Sequence, residues 1–150
     1  MLTANFRPAE QSDCRWLWQL REHPSVAMQS LNPTPIPYQQ HCRWYRQLMR
    51  DEHRHLDIFV DAATGNKLGF IRAEPYEHGQ ILSWAVEPNF QGQGIGTLML
   101  RAWCEGARTN LWAQIKSGNA ASAAIAARVG FIKVEEQADV DVWRKDLMHK

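Results

Sequence analysis

The chain has 150 residues, and 17 Lys and Arg against 16 Asp and Glu leave a net charge of +1. Hydrophobic residues at 45% and charged ones at 22% exclude disorder and low complexity. A chain of this length buries about 70% of its unfolded surface in one core, so one domain over residues 1–150 is expected. The near-neutral balance argues against a broad nucleic-acid surface. No apolar run approaches the roughly 20 residues of a membrane span, and the N-terminus lacks the apolar stretch of a secretion signal. Neither nucleic acid nor membrane is therefore an expected partner, and the expected location is the cytoplasm. Cys14, Cys42 and Cys104 are odd in number and widely spaced, which predicts buried thiols rather than disulfides or a metal site.

In chain order, Thr3 to Arg7 reads as a short strand. A helix follows from about Ser12 to Glu22, with Cys14, Leu17 and Trp18 on one stripe. The prolines of Asn32-Pro-Thr-Pro-Ile-Pro37 forbid helix and predict an extended loop. A second helix, Tyr38 to Arg50, carries His41, Trp44, Tyr45, Leu48 and Met49 on one face. Strands are predicted at His55 to Asp61, Lys67 to Glu74 and Gln80 to Val86. A glycine-rich turn then opens an amphipathic helix with Ile95, Leu98, Met99, Ala102 and Trp103 at helical spacing. Asn110 to Lys116 reads as a strand, Asn119 to Val129 as a helix, and Phe131 to Val134 and Asp139 to Leu147 as closing strands. The expected class is α/β, a mixed sheet with helices on both faces.

The stretch Val86-Glu-Pro-Asn-Phe-Gln-Gly-Gln-Gly-Ile-Gly96 carries the strongest chemical signal. A strand running into glycines at a helix start leaves backbone N–H groups without intrahelical partners, and the helix dipole adds positive potential. That combination suits a pyrophosphate. The spacing lacks the GxGxxG order of dinucleotide folds and the Gly-Lys-Ser/Thr of nucleoside-triphosphate loops. On these residues alone, an ordinary strand-to-helix turn explains the pattern equally well.

Gln91-Gly-Gln-Gly-Ile-Gly96 resembles the Gln/Arg-x-x-Gly-x-Gly/Ala signature of the GNAT N-acetyltransferases. Asn119-Ala-Ala-Ser122, continuing to Gly130-Phe131, is similar to a second element of that superfamily. The resemblance implies a GNAT fold and acetyl-CoA as cosubstrate. It further implies a pyrophosphate on Gln91, Gly92, Gln93, Gly94, Ile95 and Gly96, pantetheine against Val86, and Asn119 and Ser122 on the CoA arm. Many members carry a tyrosine acid where this chain has Ala126. The catalytic candidates are Glu74 as base and Ser83 as a relay through water, with Glu77, His78 and Glu87 also near strand ends and Tyr76 as a substitute acid.

Leu20-Arg-Glu-His-Pro-Ser-Val26 and His41-Cys-Arg-Trp44 resemble a subgroup that acetylates UDP-linked amino sugars in pseudaminic acid synthesis. By that resemblance Arg21 and His41 lie near the acceptor, with Trp44 and Trp84 as candidates to line its pocket or to pack in the core. The expected acceptor is a small-molecule primary amine. Two other readings stand beside it: acetylation of protein N-termini, as in ribosomal-protein acetyltransferases, and a CoA-binding module that has lost its chemistry. The assembly expected is a monomer or a homodimer.

Overall fold

The computed structural model describes residues 2–147. Strand β1 (Ala4–Pro8) pairs antiparallel with β2 (His55–Asp61), which continues the meander to β3 (Lys67–Tyr76) and β4 (Gly79–Val86). Tyr76 to Gly79 is the tight turn between β3 and β4, and a Cβ on Gly79 would stand 2.0 Å from the Asn110 carbonyl oxygen, so only glycine fits there. Helix α4 (Ile95–Glu105) then crosses to β5 (Asn110–Lys116), which lies parallel to β4. Helix α5 (Ala120–Val129) leads to β6 (Ile132–Glu136) and β7 (Val140–Lys145). The described residues form one seven-stranded sheet in the order β1-β2-β3-β4-β5-β7-β6.

Alternation along the central strands gives each face its own core. Leu68, Ile71, Ala73 and Leu82 meet Ile95, Met99, Leu100 and Ala126 on the α4/α5 face. Ile58 and Phe70 meet Leu17, Leu20, Tyr45 and Leu48 on the other face, beneath α1 (Cys14–Glu22) and α3 (Tyr38–Arg50). A short helix α2 (Pro24–Ala27), set off by Pro24 at its first position, precedes the predicted extended loop.

Helix α1 starts later than its apolar stripe suggested, because Gln11–Asp13 form a single 3₁₀ turn. Asp13 causes this arrangement. It is fully buried, accepts from the Glu10 N–H at 2.7 Å, and pairs with Arg7 of β1 at 2.7 Å and Lys67 of β3 at 2.6 Å. Burial pushes its carboxyl pKa up, but the bonds from Arg7, Lys67 and Glu10 outweigh that and hold it well below the usual carboxylate range. All three thiols are free; Cys14 is buried as the sequence predicts, but Cys42 and Cys104 are only half-buried, and Cys14 and Cys42 meet across α1 and α3 with sulfurs 4.0 Å apart.

Candidate active site

Strand β4 pairs with β5 only from Gly79 to Leu82, whereas its pairing with β3 runs on to Val86. Beyond Leu82 the two parallel strands splay, and the backbone of Ser83–Val86 has no strand partner on that side. The splay opens into a cavity of about 910 Å³. Val86, Gln91, Gly92, Gly94, Ile95 and Gly96 line one part of it. Gly92 and Gly94 adopt φ of 77° and 79°, and a Cβ on either would meet nothing within 4 Å. Glycine at these positions therefore serves the left-handed turn and keeps the approach to the helix start open. Gly94 is the residue that caps α4, so the first N–H groups of the helix face this opening.

Other donor-side candidates divide between ligand wall and scaffold. The Gln91 side chain turns back to donate to the Val86 carbonyl at 3.1 Å. Gln93 does not line the cavity. Asn119 and Ser122 do line it, and the Asn119 Oδ1 accepts the Ser122 N–H at 3.1 Å, capping α5. Gly96 packs so closely on α5 that a Cβ would stand 2.5 Å from Ile125 Cδ1.

The opposite part of the cavity is built by α1, β3 and β4. Arg21 at the end of α1 and Arg72 of β3 both line it, as does Ser83, which stands opposite Arg72 in register. Burial and the neighbouring Arg72 push the Arg21 pKa down, and burial does the same to Arg72 against the opposing effect of Glu74. The loop after α2 closes this side. Lys116 donates to the Met28 carbonyl at 3.0 Å, Glu22 accepts the Ile36 N–H at 3.1 Å, and Trp18 donates to the Ile36 carbonyl at 2.8 Å.

Several sequence-based assignments land elsewhere. His41 is buried away from the cavity, with Nε2 3.0 Å from the Cys14 carbonyl and its ring among Tyr38, Trp44 and Tyr45. Burial pushes its pKa down, which favours a neutral ring. Trp44 stands behind the wall rather than in it, whereas Trp84 lines the cavity. Glu74 lies off the cavity, two residue pairs further along the hairpin than Arg72, with its carboxylate 3.0 Å from Arg72 Nε. Tyr76 is edge-on to Trp112 and does not reach the cavity. Neither do Glu77, His78 or Glu87. Ala126 is fully buried in the core and outside the cavity wall, so its side chain supplies nothing to the site. Sequence reasoning missed Arg72 and Glu22. A lone arginine inside the apolar run Leu68-Gly-Phe-Ile-Arg72-Ala was the available signal for the first.

Residues 4–132 match the acetyltransferase (GNAT) domain family, and the chain belongs to it. Among curated proteins none matches the sequence. Among solved structures the fold is similar to spermidine N-acetyltransferase from Vibrio cholerae in complex with CoA and spermine, with TM-score 0.81 and 14% identity over 94% of this chain and 92% of that one. It is also similar to a ribosomal L7/L12 α-N-protein acetyltransferase in complex with coenzyme A, with TM-score 0.80 and 16% identity over 97% and 94% of the two chains. A domain from Methanocaldococcus jannaschii gives TM-score 0.82 and 18% identity over 98% and 100%.

Proposed function

We propose that this acetyltransferase moves the acetyl group of acetyl-CoA to the primary amine of a small molecule, with a nucleotide-linked amino sugar as the specific acceptor class. The observation that carries the reading is one cavity joining a splayed strand pair and an open glycine turn to a cationic wall. The donor would lie with its pyrophosphate on the first N–H groups of α4 and its pantetheine along the unpaired edge of Ser83–Val86. The thioester supplies an activated acyl carbon and a thiol leaving group that departs readily as thiolate.

The residues of the chain have four tasks in that reaction. Unpaired N–H groups of β4 would hold the carbonyl oxygen as negative charge develops on it. Arg21 would bind the acceptor, and Ser83 would order a water beside the amine. Glu22 would take up the ammonium proton, since it is the one carboxylate among the described residues lining the cavity. No tyrosine lines the cavity among the described residues, so solvent is the proton source for the leaving thiolate.

Charge supports an anionic acceptor over a polyamine. The described lining residues include Arg21, Arg72, Lys116 and Arg128 against Glu22. Lys116 and Arg128 can serve the phosphates of CoA, but Arg21 and Arg72 stand at the acceptor part. A polycation would meet repulsion there. The test is thiol release from acetyl-CoA across amino sugar nucleotides, polyamines and basic peptides. Turnover only with the anionic acceptors is expected. Turnover with spermidine or with peptide N-termini alone would overturn the acceptor assignment. Binding of acetyl-CoA without turnover on any amine would favour a non-catalytic module.

A further inference from the structure

The two arginines at the acceptor wall come from elements far apart in sequence and converge on one aromatic ring. Arg21 Cζ lies 5.1 Å from the centroid of the Trp44 ring, and Arg72 Cζ lies 5.4 Å from the same centroid. Among the described residues Arg21 makes no side-chain hydrogen bond and no ion pair. Arg72 has Glu74 alone at 3.0 Å, and the contact misses the line of the Nε–H, so that buried Nε is left without an acceptor. The other nearby carboxylate, Glu22, is already engaged by the Ile36 N–H.

Two guanidinium groups sharing one platform, both partly removed from water, repel each other. The ring face of Trp44 offsets part of that repulsion, as aromatic quadrupoles do for cations. It does not supply the acceptor atoms that ten guanidinium N–H bonds require. An external oxyanion would supply them, and the planar forks suit a carboxylate or phosphate held by two or more parallel bonds.

We propose that Arg72 and Arg21 jointly bind one oxyanion of the acceptor, a carboxylate or a phosphate, with Trp44 as the positioning residue for both guanidinium groups. This rests on the acetyltransferase reading above and names what the acceptor carries beside its amine. Arg72 is thereby a specificity-determining residue that neither the glycine turn nor the helix pattern pointed to. Its register opposite Ser83 puts Arg72, and the oxyanion it would hold, at the wall where β4 loses its pairing with β5. The amine and the anion of the acceptor are then held by neighbouring residues of one hairpin.

The test uses the full chain saturated with CoA, so that the phosphate sites of the donor are filled. Inorganic phosphate or acetate is titrated in at ionic strength matched with chloride, and the Nε–H NMR signals of Arg21 and Arg72 are followed. Saturable shifts of both signals are expected with at least one anion, and the ratio of the two affinities tells phosphate from carboxylate. Arg72→Gln should weaken that binding about tenfold, the scale of one charge-assisted hydrogen bond, with Arg72→Lys falling between. Trp44→Leu should weaken it less and separate the two arginine signals. Absence of saturable shifts, or an affinity unchanged in Arg72→Gln, overturns the clamp. If CoA itself leaves the amide signals around Gly94 unmoved, the donor assignment fails, while the two arginine signals still decide the clamp.

Discussion

At the proposed donor end of the cavity the wall is main chain: the unpaired edge of Ser83–Val86 and the first turn of α4, opened by Gly92 and Gly94. At the proposed acceptor end it is side chains: Arg21 from α1, Arg72 from β3 and, behind them, Trp44 from α3. A backbone site needs glycines and a strand break within one short stretch, and it binds anything with a pyrophosphate. A side-chain site needs distant elements held in register, and its charges can be exchanged without disturbing the fold. In the proposed reading, donor recognition rests on backbone where β4 leaves β5 and α4 begins, and acceptor recognition rests on side chains that α1, α3 and β3 bring together.

The largest expected effect tests how the acceptor half is docked. Asp13 joins the start of α1 to β1 and β3 through Arg7 and Lys67. Asp13→Asn removes the buried charge and leaves two cations facing each other, at a cost of about 3–5 kcal/mol. At roughly 2–4 °C per kcal/mol the melting temperature should fall by about 6–20 °C. The pH dependence has a fixed sign. The folded pKa is depressed, so this stabilisation is complete above the unfolded carboxylate value near 3.9 and is lost as pH falls below it. Thermal melts of both proteins from acid to neutral pH should converge at the acid end.

The next effect confines damage to the donor half. Gly94→Glu puts a carboxylate where a Cβ meets open space, against a bound pyrophosphate. Acetyl-CoA affinity should fall about 100-fold, near 2.7 kcal/mol, by calorimetry. Gly94→Ala isolates the strain of the left-handed φ, roughly 1–2 kcal/mol of stability. Arg21→Ala should act at the other end, raising acceptor KM about tenfold with donor affinity unchanged. If Arg21→Ala weakened acetyl-CoA as strongly as Gly94→Glu does, the two ends would not be separate sites.

The same contrast explains how much the sequence disclosed. The strand-to-helix turn is local, so its glycines, the strand before it and the amphipathic helix after it are legible in one continuous stretch of sequence. The alternation of β2 to β5 and the stripes of α3 and α4 placed those elements well for the same reason. Acceptor residues were harder because register decides them. His41 occupies a helical position beside Trp44 and resembles a ligand contact, yet the packing of α1 turns its ring to the Cys14 carbonyl. Glu74 sits two residues from Arg72 on the same face, but the splay begins opposite Arg72, leaving Glu74 outside. Periodicity says which face a side chain takes and nothing about where along the strand the sheet opens.

Asn119 belongs to both descriptions and gives the smallest effect. Its Oδ1 caps α5 through the Ser122 N–H, and the same residue lines the cavity. Asn119→Ala removes the cap and should cost about 1 kcal/mol, or roughly 2–4 °C, in the ligand-free protein. Asn119→Asp keeps a good capping oxygen and favours the helix N-terminus, so stability should return to the starting value. It also replaces the side-chain amide donor with negative charge beside the proposed path of the CoA arm, so acetyl-CoA affinity should stay below that of the unsubstituted protein. Melting and calorimetry on the two variants thus divide one residue into its two duties. Full recovery of affinity in Asn119→Asp would make Asn119 a capping residue alone and leave donor recognition to the main chain.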